Sequence, residues 1–266
     1  MSTEPLNGQA HLYLAATNDW TRGDRLAATL EFLSRDERRR YERFRVTAPA
    51  RAFATGRALA RQTLSLYAGV APGDWRLDPD EHGRPRITGP PGGPVLEFNL
   101  SHNDDLVACL MTGGVACGVD VESLARRVDA RRIAEHSFGE EETRDLRARD
   151  GADRRRRFFA YWTLKEAYLK ARGRGIEMRM DSVVFSLVRE GRITVGFPPR
   201  VDERPERWQF SLYRTETDEL VAVALRRESG RDLDIRAFQS SPGEPQAAAA
   251  TLRLERVTRP AVEVEA

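Results

Sequence analysis

The sequence predicts an α+β chain built as two similar halves. Three observations carry this. Segments alternating apolar and polar residues, and segments with helical apolar spacing, come in the order strand, helices, strands, and then in that order again. Gly113 and Gly114 mark a join between the two runs. The 266 residues, 40% hydrophobic and 32% charged, suit a soluble globular chain with room for two cores. No repeat is visible in the sequence itself.

His11–Ala15 is a short opening strand, and Arg22–Leu33 has helical spacing. Ser34 then starts a strong helix, because Glu37 three residues later completes a capping box. That helix carries Arg38, Arg39, Arg40, Arg43 and Arg45, and a second runs from about Pro49 to Tyr67 with Phe53, Ala60 and Leu64 on its apolar face. Ala71–Pro94 is rich in turn residues, including GRPR at 83–86 and GPPGGP at 89–94. Strands return at Leu96–Ser101, Leu106–Thr112 and Ala116–Val121. Helices come next at Ala130–His136, Glu140–Arg149 and Arg154–Ala171, with GRGI (173–176) as a helix stop. Strands recur at Ser182–Val188, Arg192–Gly196, Trp208–Arg214 and Leu220–Leu225. These boundaries give an N-terminal subdomain over 1–113 and a C-terminal one over 114–239. Residues 240–266 read as a flexible extension in which TLRLERV alternates and could add an edge strand.

Composition narrows the function. Basic and acidic residues nearly cancel, 43 against 41, for a net charge of +2. A chain whose main partner is nucleic acid usually shows a stronger imbalance. Lysine occurs only at Lys165 and Lys170; every other basic residue is arginine. An ammonium is compact and mobile where a guanidinium is a planar fork, so one of these two positions is expected to need lysine. Two cysteines, Cys109 and Cys117, are too few for a disulfide framework and lie in apolar stretches. The N-terminus has no secretory pattern and no apolar run approaches about 20 residues, so a cytosolic protein without a membrane span is expected.

Four clusters can carry chemistry. In ACGVDVES, Asp120 and Glu122 are two apart on a strand, so their carboxylates share a face. Such a pair is costly unless a cation or solvent relieves it, and magnesium favours a few carboxylates with phosphate oxygens. In YWTLKEAYLK, Glu166 and Lys170 are four apart and share a helix face. Either pair alone is equally an ordinary solvated surface feature. FNLSHNDD places Asn99, Ser101 and His102 at a strand end, suited to phosphate or ribose contacts. Adjacent strand residues face opposite ways and no G-x-S-x-G elbow is present, which argues against a serine hydrolase. Arg84, at the tip of the GRPR turn, could reach an anionic ligand.

Together these pieces resemble the Sfp-type 4′-phosphopantetheinyl transferases. The likeness lies in the order of GRP at 83–85, FNLSH at 98–102, GVDVE at 118–122, Phe138-x3-Glu142, and WTLKEAYLK at 162–170, and it spans roughly 34–225. It implies the family's fold, two similar α+β subdomains related by a pseudo-twofold axis in one chain, and hence a monomer that is a pseudo-dimer. Transfer of the phosphopantetheine arm of coenzyme A to a serine of an apo acyl or peptidyl carrier protein, with magnesium, is the implied activity. Asp120, Glu122 and Glu166 match the metal set, and Glu166, Lys170 and Asp120 the catalytic group. Lys170 matches the lysine on the pyrophosphate of coenzyme A, and Ser101 and His102 the pair near its 3′-phosphate. Arg84 stands where the family often has lysine. Arg40 matches a basic residue near the nucleotide, and Arg51 is a further basic candidate. Either Glu166 or a metal-bound water would take the serine proton. Members often serve polyketide or nonribosomal peptide assembly.

Two other readings compete. A magnesium-dependent nuclease built on D…E-x-K is disfavoured by spacing, since Lys170 lies four after Glu166 and Lys165 directly precedes it. An arginine-rich nucleic-acid binder would use DRRRRFF at 153–159, although a solvated helix face explains that run as well.

Overall fold

A computed structural model describes residues 6–91, 94–173, 178–227 and 230–258. The chain divides into two compact units, 1–114 with 234–251 and 115–233 with 252–266.

In the first unit, β1 (Gln9–Ala16) leads through α1 (Thr17–Thr21) and α2 (Arg25–Glu31) to α3 (Arg35–Glu42). The helix expected over 22–33 is found as α2, which starts just after Gly23 (φ +57), and α1 before it was not expected. Ser34 caps α3 as expected: its side chain accepts from Glu37 N, and the Glu37 carboxylate accepts from Ser34 N. The long helix α4 (Thr47–Ala68) ends at Gly69 in the left-handed conformation. The turn-rich segment 71–94, for which no strand was expected, holds a hairpin, β2 (Arg76–Pro79) with β3 (Pro85–Gly89). Asp80 organises it, its Oδ1 accepting from His82 N and Arg84 N. Then come β4 (Glu97–His102) and β5 (Leu106–Thr112). β5 pairs antiparallel with both β1 and β4. Trp20, Tyr13, Leu59, Leu64, Val107 and Met111 are among the residues of the core beneath α4.

The second unit repeats this plan. β6 (Cys117–Ser123) leads through α5 (Ala130–Ser137) and α6 (Glu140–Arg147) to the long helix α7 (Gly151–Arg172), again closed by a left-handed glycine, Gly173. The remainder of GRGI, 174–176, lies outside the described residues. A small hairpin, β7 (Val184–Ser186) with β8 (Thr194–Gly196), precedes β9 (Trp208–Arg214) and β10 (Glu219–Arg226). β10 pairs antiparallel with β6 and β9, as β5 does with β1 and β4. α7 packs its Phe159, Tyr168 and Leu164 into a core with Trp208, Phe210 and Ala222. Strand, helices, a 22-residue helix, hairpin and two strands therefore occur twice in the same order and pairing.

The C-terminal stretch corrects the sequence reading. Residues 234–251 belong to the first unit: β11 (Asp234–Ser241) lies parallel to β1, and β12 (Glu244–Ala249) pairs with β11. Residues 240–258 are thus not a flexible extension, and the second unit stops at 233 before resuming at 252. The physical cause is remote. The pairing partner of β11 is the opening strand, and the turn after it is held by Gln62 of α4, which donates to Ser241 O and accepts from Gly243 N. Trp20 Nε1 also donates to Ser240 O. The alternating TLRLERV run does form an edge strand, β13 (Arg253–Val257), beside β9.

Candidate active site

Glycine starts the construction of the site. Gly118, Asp120 and Glu122 alternate along β6 and share its α7-facing side. A Cβ on Gly118 would stand 2.0 Å from Ala167 O and 2.5 Å from Ala171 N. Only glycine lets the strand approach the helix backbone this closely. Ala167 and Ala171, small and one turn apart on α7, complete the contact. Beside it, the carboxylates of β6 come to face Glu166 and Lys170 of α7.

Lys170 Nζ donates to Asp120 Oδ1 at 2.7 Å. Asp120 is buried, while the Lys170 side chain keeps 29% of its exposure. Glu122 receives Arg126 Nη1 at 2.8 Å and a hydrogen bond from the Trp162 indole. Burial, then the Asp120 charge, raise the Glu122 carboxyl above the ordinary range. Glu166 is pushed up to about 7, first by burial and then by Asp120, with Lys170 opposing and Glu122 adding to the rise. The three carboxylates thus feel one another strongly. Among the described residues no three His, Cys, Asp or Glu side chains are placed so that together they could hold a metal ion. The chemistry of the three side chains nonetheless fits a hard divalent cation: each offers carboxylate oxygens, and their mutual repulsion is what such a charge would relieve.

The other five candidates lie in the first unit. Ser101 and His102 are successive residues of β4, the serine buried and the imidazole exposed, on opposite faces as adjacent strand residues must be. The Arg84 side chain is only 13% exposed. It donates to Phe98 O at 2.8 Å, beside the Glu97 carboxylate at 3.6 Å. It braces β4 against the hairpin turn instead of standing free at its tip. Arg40 is exposed on α3, its guanidinium over the Phe53 ring at 5.0 Å. Arg51 on α4 reaches Asn18 Oδ1 at 3.5 Å.

Sequence reasoning missed one pair. Lys165 and Glu142, both with fully buried side chains, form an ion pair at 2.8 Å. The scarcity of lysine pointed to this helix but singled out Lys170. The Phe138-x3-Glu142 spacing was the other available signal; Phe138 lies over the Lys165 ammonium at 5.1 Å. The arginine run 154–157 is also more structural than its charge suggests. Arg157 is tied to Asp145 and Leu187 O, and Arg154 to Arg149 O. Arg154 and Arg155 line an open cleft of about 490 Å³ with Arg127 and Arg131.

Family models match the two units separately. One described as the 4′-phosphopantetheinyl transferase N-terminal region matches residues 19–112, and one for the 4′-phosphopantetheinyl transferase superfamily matches 116–224. A phosphopantetheinyl transferase of Thraustochytrium sp. is 30% identical over 225 residues, covering 79% of this chain and 76% of that protein. The chain belongs to the phosphopantetheinyl transferase family. 4′-Phosphopantetheinyl transferase HetI of Nostoc sp. is 38% identical over 151 residues, 57% of this chain and 62% of its own length. The Sfp enzyme of Bacillus subtilis is 28% identical over 169 residues, 64% and 73% of the two chains, so the Sfp-type resemblance holds. The two-part α+β fold expected from that resemblance agrees with the duplicated strand plan.

Proposed function

We propose that this enzyme transfers the 4′-phosphopantetheine arm of coenzyme A to a serine of an apo carrier protein, releasing 3′,5′-ADP. The observation that carries the reading is the arrangement of Asp120, Glu122, Glu166 and Lys170 across the Gly118 contact, in a member of this family. Asp120, Glu122 and Glu166 would hold magnesium, which when bound supplies positive charge to the pyrophosphate and its leaving phosphate.

The chain's own residues do the rest. Lys170 is partly exposed and already engages one anionic oxygen, so it can turn to the pyrophosphate of coenzyme A. The carrier serine oxygen forms a bond to the β-phosphorus. The bond from that phosphorus to the bridging oxygen breaks, and the electron pair leaves with 3′,5′-ADP. Glu166, its proton affinity raised to near neutrality, is suited to accept the serine proton. Ser101, His102, Arg40 and Arg51 are assigned to the nucleotide end. Arg84 is assigned a supporting part there, since its guanidinium is engaged with β4.

The carrier is taken to be an acyl or peptidyl carrier protein of a polyketide or nonribosomal peptide system, met in the cytoplasm by a monomeric enzyme. No observation favours the nuclease or nucleic-acid readings over this one. The test incubates the purified chain with coenzyme A, magnesium and a panel of apo carriers and weighs each carrier. Gain of one phosphopantetheine mass on at least one carrier is expected; no gain on any contradicts the reading.

A further inference from the structure

The duplicated fold contains a duplicated clasp. Each long helix carries a buried base at its fifteenth residue, Arg61 in α4 and Lys165 in α7. Each base pairs with the glutamate three residues into the preceding helix, Glu37 of α3 and Glu142 of α6, and that glutamate also accepts from the backbone N–H of its own N-cap residue, Ser34 or Gly139. Each base then donates to two backbone carbonyls in the segment after its helix. Arg61 reaches Pro72 O and Trp75 O; Lys165 reaches Met180 O and Val183 O.

The chemistry of the two bases matches their acceptors. Around Lys165 stand three oxygens, from Glu142, Met180 and Val183, one for each ammonium proton. A guanidinium there would bury donors without acceptors. Around Arg61, Glu37 takes Nε and Nη2 while Nη1 serves both carbonyls, so the fork is used. Glu142 is equally complete: it also accepts from Gly139 N at 2.9 Å and Phe185 N at 2.8 Å. This accounts for a lysine at 165 in a chain that otherwise relies on arginine.

The residue directly after the clasp base differs between the units. Arg61 is succeeded by Gln62, whose amide holds the turn between β11 and β12. Lys165 is succeeded by Glu166. We propose that the Glu142–Lys165 clasp is a positioning device that fixes the register of α7, and so the place of the Glu166 carboxylate opposite β6. The corresponding Glu37–Arg61 clasp fixes Gln62 as the latch of the C-terminal strands. The inference rests on the reading of Glu166 as a magnesium ligand.

The test compares two matched lesions, Glu142→Gln/Lys165→Met and Glu37→Gln/Arg61→Met. Each removes both charges of its clasp, so neither clasp partner is left buried alone, although on the α4 side Arg57, 3.7 Å from Glu37, also loses its partner. Magnesium alone is titrated into each folded protein by calorimetry, and kcat and the carrier KM are measured separately. The α7-side lesion is expected to weaken magnesium binding and lower kcat by about tenfold or more, with carrier KM within about twofold of the parent. The α4-side lesion is expected to leave magnesium affinity unchanged. Lys165→Arg, which keeps the charge, serves if the double variant does not fold, and is expected to weaken magnesium binding similarly. Parent-like magnesium affinity in the α7-side double variant, or in Lys165→Arg, overturns the proposal, as does equal loss from both lesions. Failure of the parent to modify any carrier would count against the proposed function alone, because the magnesium contrast between the two lesions still decides the clasp.

Discussion

Glu166 joins two demands in one side chain, and pH separates them. Its carboxyl sits at about 7 in the folded chain against 4.5 in its unperturbed state. The folded chain therefore holds an extra proton between those values. This contribution to metal-free stability is complete below about pH 4.5 and is lost as pH rises through 7. In the proposed role Glu166 meets magnesium in its deprotonated form, so the stabilising effect of magnesium should grow over the same window. Thermal unfolding with and without magnesium should show a small shift at pH 6 and a larger one at pH 8. Glu166→Gln should raise metal-free stability at pH 8 by about 2 kcal/mol while abolishing transfer, because the neutral amide ends the carboxylate repulsion but supplies neither an anionic ligand nor a base. Lys170→Met should act mainly through a raised KM for coenzyme A.

At the scale of elements, the contact of β6 with α7 governs the site. Gly118→Ala forces a methyl group into helix backbone, so the strand or helix must move. Loss of about 3 kcal/mol in denaturant unfolding is expected, with transfer falling further than stability alone explains. The same strand shows what the sequence revealed. Alternation alone placed Asp120 and Glu122 on one face, and helical spacing placed Glu166 with Lys170, as found. Their meeting depends on Gly118, whose need is set by a helix some 50 residues later. The capping box at Ser34 was legible because it is local; β11 was not, because its partner is β1, more than 200 residues away. Likewise Ala71–Pro94 read as turns, since neither β2 nor β3 is long enough to show a period. Truncation after Leu233 should leave β1 without its parallel neighbour and yield insoluble chain, which a solubility assay of the shortened protein would show.

Across the whole molecule, the two units share one plan with divided tasks. The second holds the acidic cluster, while the first holds the candidates for the nucleotide end. Both units keep the clasp of buried acid and base, and only one sets a carboxylate directly after it. Arg127, Arg131, Arg154 and Arg155 line one open cleft of the second unit, together with Asp129. If they steer an acidic carrier, kcat/KM for the carrier should fall steeply with added salt while the KM for coenzyme A changes less. The central claim is that four residues about the Gly118 contact perform phosphopantetheine transfer. The most direct measurement is the intact mass of an apo carrier after incubation with coenzyme A, magnesium and either the parent chain or Glu166→Gln. The account predicts one added phosphopantetheine with the parent and none with the variant; equal modification by both would contradict it.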